Sequence, residues 1–533
     1  MLRWLRQIPA SVVQTRPRLA LYYARNLFFA GHLREIEPWV QAAETTLSKD
    51  ASSPMQSGAT PEAREEASAP HPEDHEHEQL LGEVAARRAI VAALYGNSEE
   101  ALDRCQQALS HLCEQDIFQQ SLVCAAQGQA AFGAGQILPA THSLLEAGAL
   151  MRRTGMPGAA INYLCMAASF LHLQGRLHEA RQVLQQAIAL GTTSEGQPLT
   201  LVGVAYTCLA DVLREWNKLD EALDLALQGL QMVEQAKYTL NIDRGYLVLV
   251  RIYLSRGEIE AANATFQQAL QLPTVTENAY RRSWLTAVEQ ARLWIARGEQ
   301  DHALHWAREG DRVTPHSQPG ASFARERETV AQVRLLLAQK QPERVQALLS
   351  PSVSEATRAE RWGSVLEMRL LEAQAAQMSG KEQEALRAIS RAVGLGEAEG
   401  YIQSFVDEGP RLAELLARLR KQPQEEEHAP YLDTLLAAFP REGVRAKPQP
   451  QPGLLDPLSA RELEVLRELA RGATNQEVAE TLVLSVQTVK RHVGNILGKL
   501  EANNRTQAVA RARKLGLLSD EQQGEKISPS RAN

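Results

Sequence analysis

From Gln487 to Lys499 the side chains of Gln487, Thr488, Lys490, Arg491, Asn495 and Lys499 offer hydrogen-bond donors and positive charge, with no Asp or Glu among them. Such groups make and break no covalent bonds. Guanidinium and ammonium groups recognise phosphate oxygens and the N7/O6 edge of guanine, and amides reach neighbouring base edges. At 3.6 residues per turn, Gln487, Thr488, Lys490, Arg491, Gly494, Asn495 and Gly498 share one helical face, while Val489, Val493, Ile496, Leu497 and Leu500 share the other. One face is for a core and the other for a polyanion. Lys490 and Arg491 suit guanine acceptors, with Asn495 near an adjacent base; Gln487, Thr488, Lys499 and Arg505 are candidate phosphate clamps.

Three further helices are needed to hold that helix. In "LSARELEVLRELARG" Ser459 and Glu462 form a capping box ahead of Leu463, Leu466, Leu469 and Ala470, and Gly472 ends the helix. Thr474 and Glu477 form a second box, opening a helix from Asn475 to Leu482. Its exposed N-terminal amides, with Asn475, favour a phosphate. "VLS" is the turn, and Ser485 caps the third helix, which runs to Leu500. A fourth runs from Arg505 to Leu515 and stops at Gly516. Two helices joined by a sharp turn, the second with a one-signed outer face, are expected to dock that face in the major groove of double-stranded DNA while the first crosses the backbone. Residues 454–518 contain no Phe, Tyr or Trp, so stacking on single strands is disfavoured.

About 60 continuous residues here, including "NQEVAETL", "TVKRHV" and "NRTQAV", resemble the LuxR/FixJ-type helix-turn-helix domain. The resemblance implies a four-helix fold, DNA contacts from Thr488, Lys490 and Arg491, and a homodimer contact through the last helix around Val509–Arg513. Gly494 and Gly498 depart from it, standing where relatives carry polar or basic side chains.

The rest of the chain balances this patch. Net charge over 533 residues is −7; Lys490 to Lys514 holds seven Lys/Arg and one Asp/Glu, so the remainder carries −13. An acidic body with one basic end suits a polyanion partner at that end only. Five cysteines without a CxxC pair fit reduced, mostly buried thiols of a cytoplasmic protein. No apolar run is long enough to span a membrane.

Upstream, one pattern recurs: a helical apolar stretch, a glycine, four residues, then a small apolar residue. The column runs Gly31, Gly96, Gly135, Gly175, Asn217, Gly257, Gly298, Lys340 and Gly380, with steps from Gly96 of 39, 40, 42, 40, 41, 42 and 40. Gly suits a left-handed residue closing the first helix of a hairpin, and Asn is the next best; Lys340 is the exception. The small residue (Ala101, Ala140, Ala180, Ala222, Ala262, Ala303, Ala385) lets the second helix approach the first. About nine units stack into an all-α superhelix, since no single pair buries its own apolar face; an irregular helical bundle is the alternative. The array resembles tetratricopeptide repeats of longer period, as in the sensor superhelix of MalT-type bacterial transcription activators. That resemblance implies a groove for a small ligand or protein partner; Trp39, Trp216, Trp284, Trp294, Trp306 and Trp362 would line it or pack between helices.

The domain plan is a superhelix start (1–48), a disordered polar insertion (49–79), the main superhelix (80–425), a Pro-rich linker (426–456), the helix-turn-helix domain (457–518) and a disordered tail (519–533). "FVDEG", before the linker, resembles the segment preceding the DNA-binding domain in MalT-type activators. Those activators begin with a nucleotide-binding domain, and "LRWLRQIP" with "RPRLALYYARNLFFAGHL" resembles the entry to their superhelix, so the chain is expected to start past that domain. Gly380-Lys381 and Gly498-Lys499 both lack the phosphate-loop spacing. "HPEDHEHE" has metal-binding residue types but reads as a solvated tract. No catalytic or cofactor motif is found. The expectation is a cytoplasmic, nucleoid-associated regulator of promoter DNA working with RNA polymerase; the rival is an interaction scaffold whose last module is vestigial or serves dimerisation.

Overall fold

A computed structural model describes residues 2–29, 32, 35–52, 72–192, 198–235, 242–272, 279–299, 321–440, 458, 460–481 and 486–518. They form two compact units, divided between Phe439 and Pro440. The described elements of both units are helical, apart from one isolated bridge between Thr192 and Pro198.

In the larger unit the hairpins follow the glycine column. Helices Ile117–Gly133 and Ile137–Arg153 form one pair, Pro157–Leu173 and Leu177–Leu190 the next, and Val202–Glu215 with Leu219–Gln235 the one after. At Gly135 (φ +79°) the chain closes the first helix by two bonds: Gly135 N–H to Phe132 O, 2.9 Å, and Gln136 N–H to Ala131 O, 2.8 Å. This satisfies carbonyls that the helix end would otherwise strand. Asn217 (φ +57°) and Lys340 (φ +59°) adopt the same left-handed conformation, and Gln341 N–H closes on Leu336 O at 2.9 Å. Lys340 is therefore a full member of the column, held there by the hairpin despite its Cβ. Ala101, Ala140, Ala180, Ala222, Ala262 and Ala385 are fully buried, and Val345 takes the slot in the Lys340 unit. Gly31 and Ala303 lie outside the described residues.

Contacts also form between distant units. Gly363, at the start of helix Trp362–Met378, has no room for a Cβ, which would lie 2.8 Å from His172 O, five hairpins upstream. Phe132 meets Phe323 edge-on at 5.7 Å. The coil therefore touches itself after one turn and encloses its axis.

Three boundaries differ from the expectation. Helices Glu37–Ser52 and Pro72–Leu94 extend into the 49–79 insertion, where Glu76 pairs with Arg18 at 2.6 Å; residues 53–71, including His71, lie outside the described residues. Apolar partners propagate the helix back from Leu80 and Leu81, whatever the polarity of its first turns. The 426–456 linker begins with a packed helix, Ala429–Ala438, whose Leu432 and Leu435 are fully buried with Tyr431 and Phe439 against the repeat core. Residues 441–457 and the tail 519–533 lie outside the described residues.

In the smaller unit, helices Ala460–Ala470, Asn475–Thr481, Val486–Lys499 and Arg505–Lys514 surround Val465, Leu466, Leu469, Val478, Val489, Ile496, Leu500, Ala508 and Ala512.

Candidate nucleic-acid interface and axial cavity

The basic helix Val486–Lys499 buries Val489 and Ile496 completely, as the turn after it does Leu500, and half-buries Val493 and Leu497, as its period requires. Lys490, Gly494 and Gly498 are exposed on the other side, four residues apart. Gln487, Thr488, Arg491 and Asn495 belong to this helix, but their side chains lie outside the described residues, as does Ser485 altogether.

The remaining expected contacts are drawn into the fold. Lys499 is half-buried, its Nζ 3.0 Å from the buried Glu462 carboxylate. Arg505 donates through Nη2 to Ala473 O at 2.8 Å, pinning the turn before helix Asn475–Thr481. Both were expected to reach phosphate; in the structure each also makes a bond inside the unit. Arg511 likewise holds Glu501, at 2.8 Å. Asn475 is half-buried at the first turn of its helix. The expected capping box beside it is closed: Thr474 N–H donates to Glu477 Oε2 at 2.6 Å, and Glu477 N–H to Thr474 Oγ1 at 3.3 Å. The Thr474 backbone N–H and hydroxyl hold the Glu477 carboxyl below its ordinary value. Part of the anion-binding capacity at this N-terminus is thus already used. Sequence reasoning passed over Asn504, whose Oδ1 accepts from Gln507 N–H at 2.9 Å and caps the last helix; an Asn preceding a basic helical run was its signal.

A Cβ at Gly494 or Gly498 would meet nothing within 4 Å. Replacing either with Ala is expected to stabilise this helix by about 0.8–1 kcal/mol, through lower backbone entropy in the unfolded chain. Amide exchange across Val486–Lys499 should slow roughly four- to five-fold per substitution; unchanged or faster exchange would show the glycines to be needed for the fold.

In the larger unit the first helices of successive hairpins line a cavity of about 210 Å³ along the axis. A ladder of ion pairs runs through it. His172 Nδ1 lies 3.5 Å from Asp211; Arg251 bonds Asp211 at 2.6 Å and Glu289 at 2.9 Å; Arg327 bonds Glu367 at 2.8 Å. Across the axis passes the segment holding "FVDEG". Asp407 accepts from Arg214 at 2.5 Å and Arg292 at 3.1 Å; Glu408 accepts from Arg334 at 2.8 Å; and Ile402 N–H donates to Glu215 O at 2.8 Å. Trp216 Nε1 donates to Glu399 O at 2.9 Å, while Trp39 stacks near Tyr23 and Trp294 packs into the core. Trp362 is exposed at the surface. None of these four tryptophans lines the cavity; Trp284 and Trp306 have no described side chain.

Burial pushes the Asp211 carboxyl up, but Arg251, His172 and Arg214 together outweigh it and hold it down at about 2. Asp407 and Glu367 are depressed in the same way, by Arg214 with Arg292, and by Arg327 with Arg334. Carboxyls with lowered folded-state values stabilise fully above the unfolded value of about 3.9 and lose that contribution as pH falls through the folded value. Unfolding of the larger unit, followed by circular dichroism, should therefore become easier between about pH 4 and pH 2, with Asp211 alone contributing about 2 kcal/mol. Stability flat across that window would contradict the ladder.

Fold and sites together define a class: a helical-repeat superhelix followed by a helix-turn-helix module. Residues 82–422 match the family described as the MalT-like TPR region, and residues 456–512 match the bacterial regulatory proteins of the luxR family. The chain belongs to the MalT-like TPR family and carries a luxR-type domain at its C-terminal end. It is 25% identical over 454 residues to the HTH-type transcriptional regulator MalT of Serratia proteamaculans, covering 82% of this chain and 49% of that one. With the protein of the same name from Yersinia enterocolitica it is 23% identical over 461 residues, covering 82% and 50%. The chain thus spans about half the length of these relatives. A solved Rap protein complexed with competence and sporulation factor aligns with 80% of this chain and 97% of its own, at 14% identity and a TM-score of 0.40.

Proposed function

We propose that the protein is a DNA-binding transcription regulator. The observation that carries this reading is the division of helix Val486–Lys499 into an apolar inner face and an outer face with Lys490 exposed and no acid. The helix enters the major groove, Lys490 and Arg491 facing guanine edges and Asn495 a neighbouring base. Thr488, Gln487, Ser485 and Asn475 hold phosphates, while Lys499 and Arg505 keep the reading helix in place. The last helix pairs two copies on DNA, and RNA polymerase is the downstream partner. The superhelix senses a ligand or protein and biases DNA binding by a population shift. The protein works in the cytoplasm, nucleoid-associated when bound. Both curated relatives bear the name of a transcriptional regulator, which supports this reading.

The test is DNA retardation across a salt series. Each phosphate neutralised by a Lys or Arg adds about −0.9 to the slope of log affinity against log salt, so retardation should weaken steeply as salt rises. Absent or salt-insensitive retardation would return the protein to the scaffold class.

A further inference from the structure

The "FVDEG" segment has a position in the fold but no role in DNA docking. Six guanidinium groups, of Arg214, Arg244, Arg251, Arg292, Arg327 and Arg334, stand at or directly behind the cavity wall. The repeats set four carboxylates against them: Asp211, Glu215, Glu289 and Glu367. Arg214, Arg292 and Arg334 are the three that the segment's own carboxylates, Asp407 and Glu408, reach. Buried charge must be compensated or it is strongly destabilising, so the segment acts as a built-in ligand for its own superhelix. Among the described residues, the buried polar atoms left without a partner here include Glu289 Oε2, an acceptor on the cavity wall, and Arg334 Nε, a donor, with Ser364 Oγ and Gln403 Oε1 nearby. Arg292 bonds Asp407 at 3.1 Å but stands off its other two carboxylates. Its contacts to Glu367 and Glu408 are 3.9 Å, and burial and the neighbouring Arg334 draw its pKa down.

We propose that the axial cavity is a binding site for a small hydroxylated dianion, which replaces Asp407 and Glu408 on Arg214, Arg292 and Arg334 and donates its hydroxyl to Glu289 Oε2. The two carboxylates it displaces set the ligand's charge, and the bare acceptor sets its hydroxyl. About 210 Å³ holds roughly seven waters, and vacating the two acidic side chains enlarges it. Displacement frees residues 399–409, the stretch ending at Gly409 (φ +82°) just before helix Pro410–Leu419. The site deepens the reading of the superhelix as a sensor and rests on it, giving that sensor a ligand class and an internal competitor.

Two sources of this chemistry are separated by calorimetry on the full chain at fixed ionic strength: malate for a hydroxy-dicarboxylate, glycerol 3-phosphate for a phosphate ester, and glucose as the neutral polyol. One of the two dianions is expected to bind at one per chain, and glucose not at all. In D407N/E408Q, which removes the internal competitor, its affinity should rise at least ten-fold. Binding of neither dianion, binding of glucose alone, or an affinity unchanged in a folded D407N/E408Q variant overturns the proposal. A second measurement needs no variant: amide exchange at Ile402, bonded to Glu215 O, should quicken in the wild-type chain saturated with the dianion. Slowed or unchanged exchange there overturns the displacement. Retardation of DNA is scored separately. Its loss with intact dianion binding sinks the regulator reading and leaves the site standing; the reverse sinks the site alone.

Discussion

Arg361→Ala is expected to cost the larger unit about 3–5 kcal/mol, seen as a lower urea midpoint. Arg361 and Glu326 are each only 2% exposed. Nε and Nη2 of Arg361 both donate to Glu326 Oε2, at 3.0 and 2.7 Å, and the guanidinium lies 5.9 Å from the Phe323 ring centroid. Burial drives the Glu326 carboxyl up even with Arg361 present, so an isolated Glu326 is a poorly solvated charge. Its folded-state value, already raised, rises further in the variant. The penalty therefore operates above the unfolded carboxylate value and fades as pH falls toward about 4. Relative to wild type at each pH, the Arg361→Ala deficit should shrink on acidification. Removing both partners by Arg361→Met with Glu326→Leu should restore stability to within about 1–2 kcal/mol, because no lone charge remains. If the single and double variants lose equally, packing of the Arg361 stem decides stability rather than charge.

The hairpin repeat was legible because its determinants are local: a left-handed residue and a small residue five later, both visible in nearly every unit. Lys340 shows the limit of residue identity, since its neighbours hold it at φ +59° whatever its side chain. Closure of the coil, by contrast, joins units five hairpins apart, and no short window contains both His172 and Gly363. The axial ladder was written in the sequence but overlooked: His172, Asp211, Arg251 and Arg292 follow each other by 39, 40 and 41, the step of the glycine column, on the first helices. Spacing alone does not separate a buried ladder from a solvated face; only closure of the coil places these residues inside. Helix Ala429–Ala438 was hidden for a different reason: it belongs to no hairpin, and prolines surround it. In the smaller unit the inner face was readable from its period. Lys499 and Arg505 were not, since a long basic side chain at the flank of an apolar stripe turns to whichever acceptor the fold brings near, here Glu462 and Ala473 O.

That last distinction sets the expected outcome for the reading helix. Arg491→Ala should weaken binding to a selected duplex by about 10- to 100-fold, and Lys490→Ala with Arg491→Ala by roughly 100-fold or more, on 1–3 kcal/mol for each good base contact. The salt series then tells which group each residue touches. Loss of a base contact flattens discrimination between sequences and leaves the salt slope in place; loss of a phosphate contact weakens all sequences alike and lowers the slope by about one. Lys490 and Arg491 are expected to follow the first pattern, and Thr488→Ala to weaken all duplexes alike, its neutral phosphate bond leaving the slope unmoved. Lys499→Met should follow neither, because its ammonium is spent on Glu462: binding falls only as far as the four-helix unit loosens, in step with faster amide exchange through Val489, Ile496 and Leu500. Gly494 and Gly498 lie on the same stripe as Lys490, four and eight residues on, and leave it bare of side chains. The helix backbone can therefore approach the groove closely there, concentrating base reading at its N-terminal half. Base substitutions facing that half should cost affinity, and those facing the glycines should cost little. A protein that tolerates Arg491→Ala without loss on its selected site would not be docked by this helix.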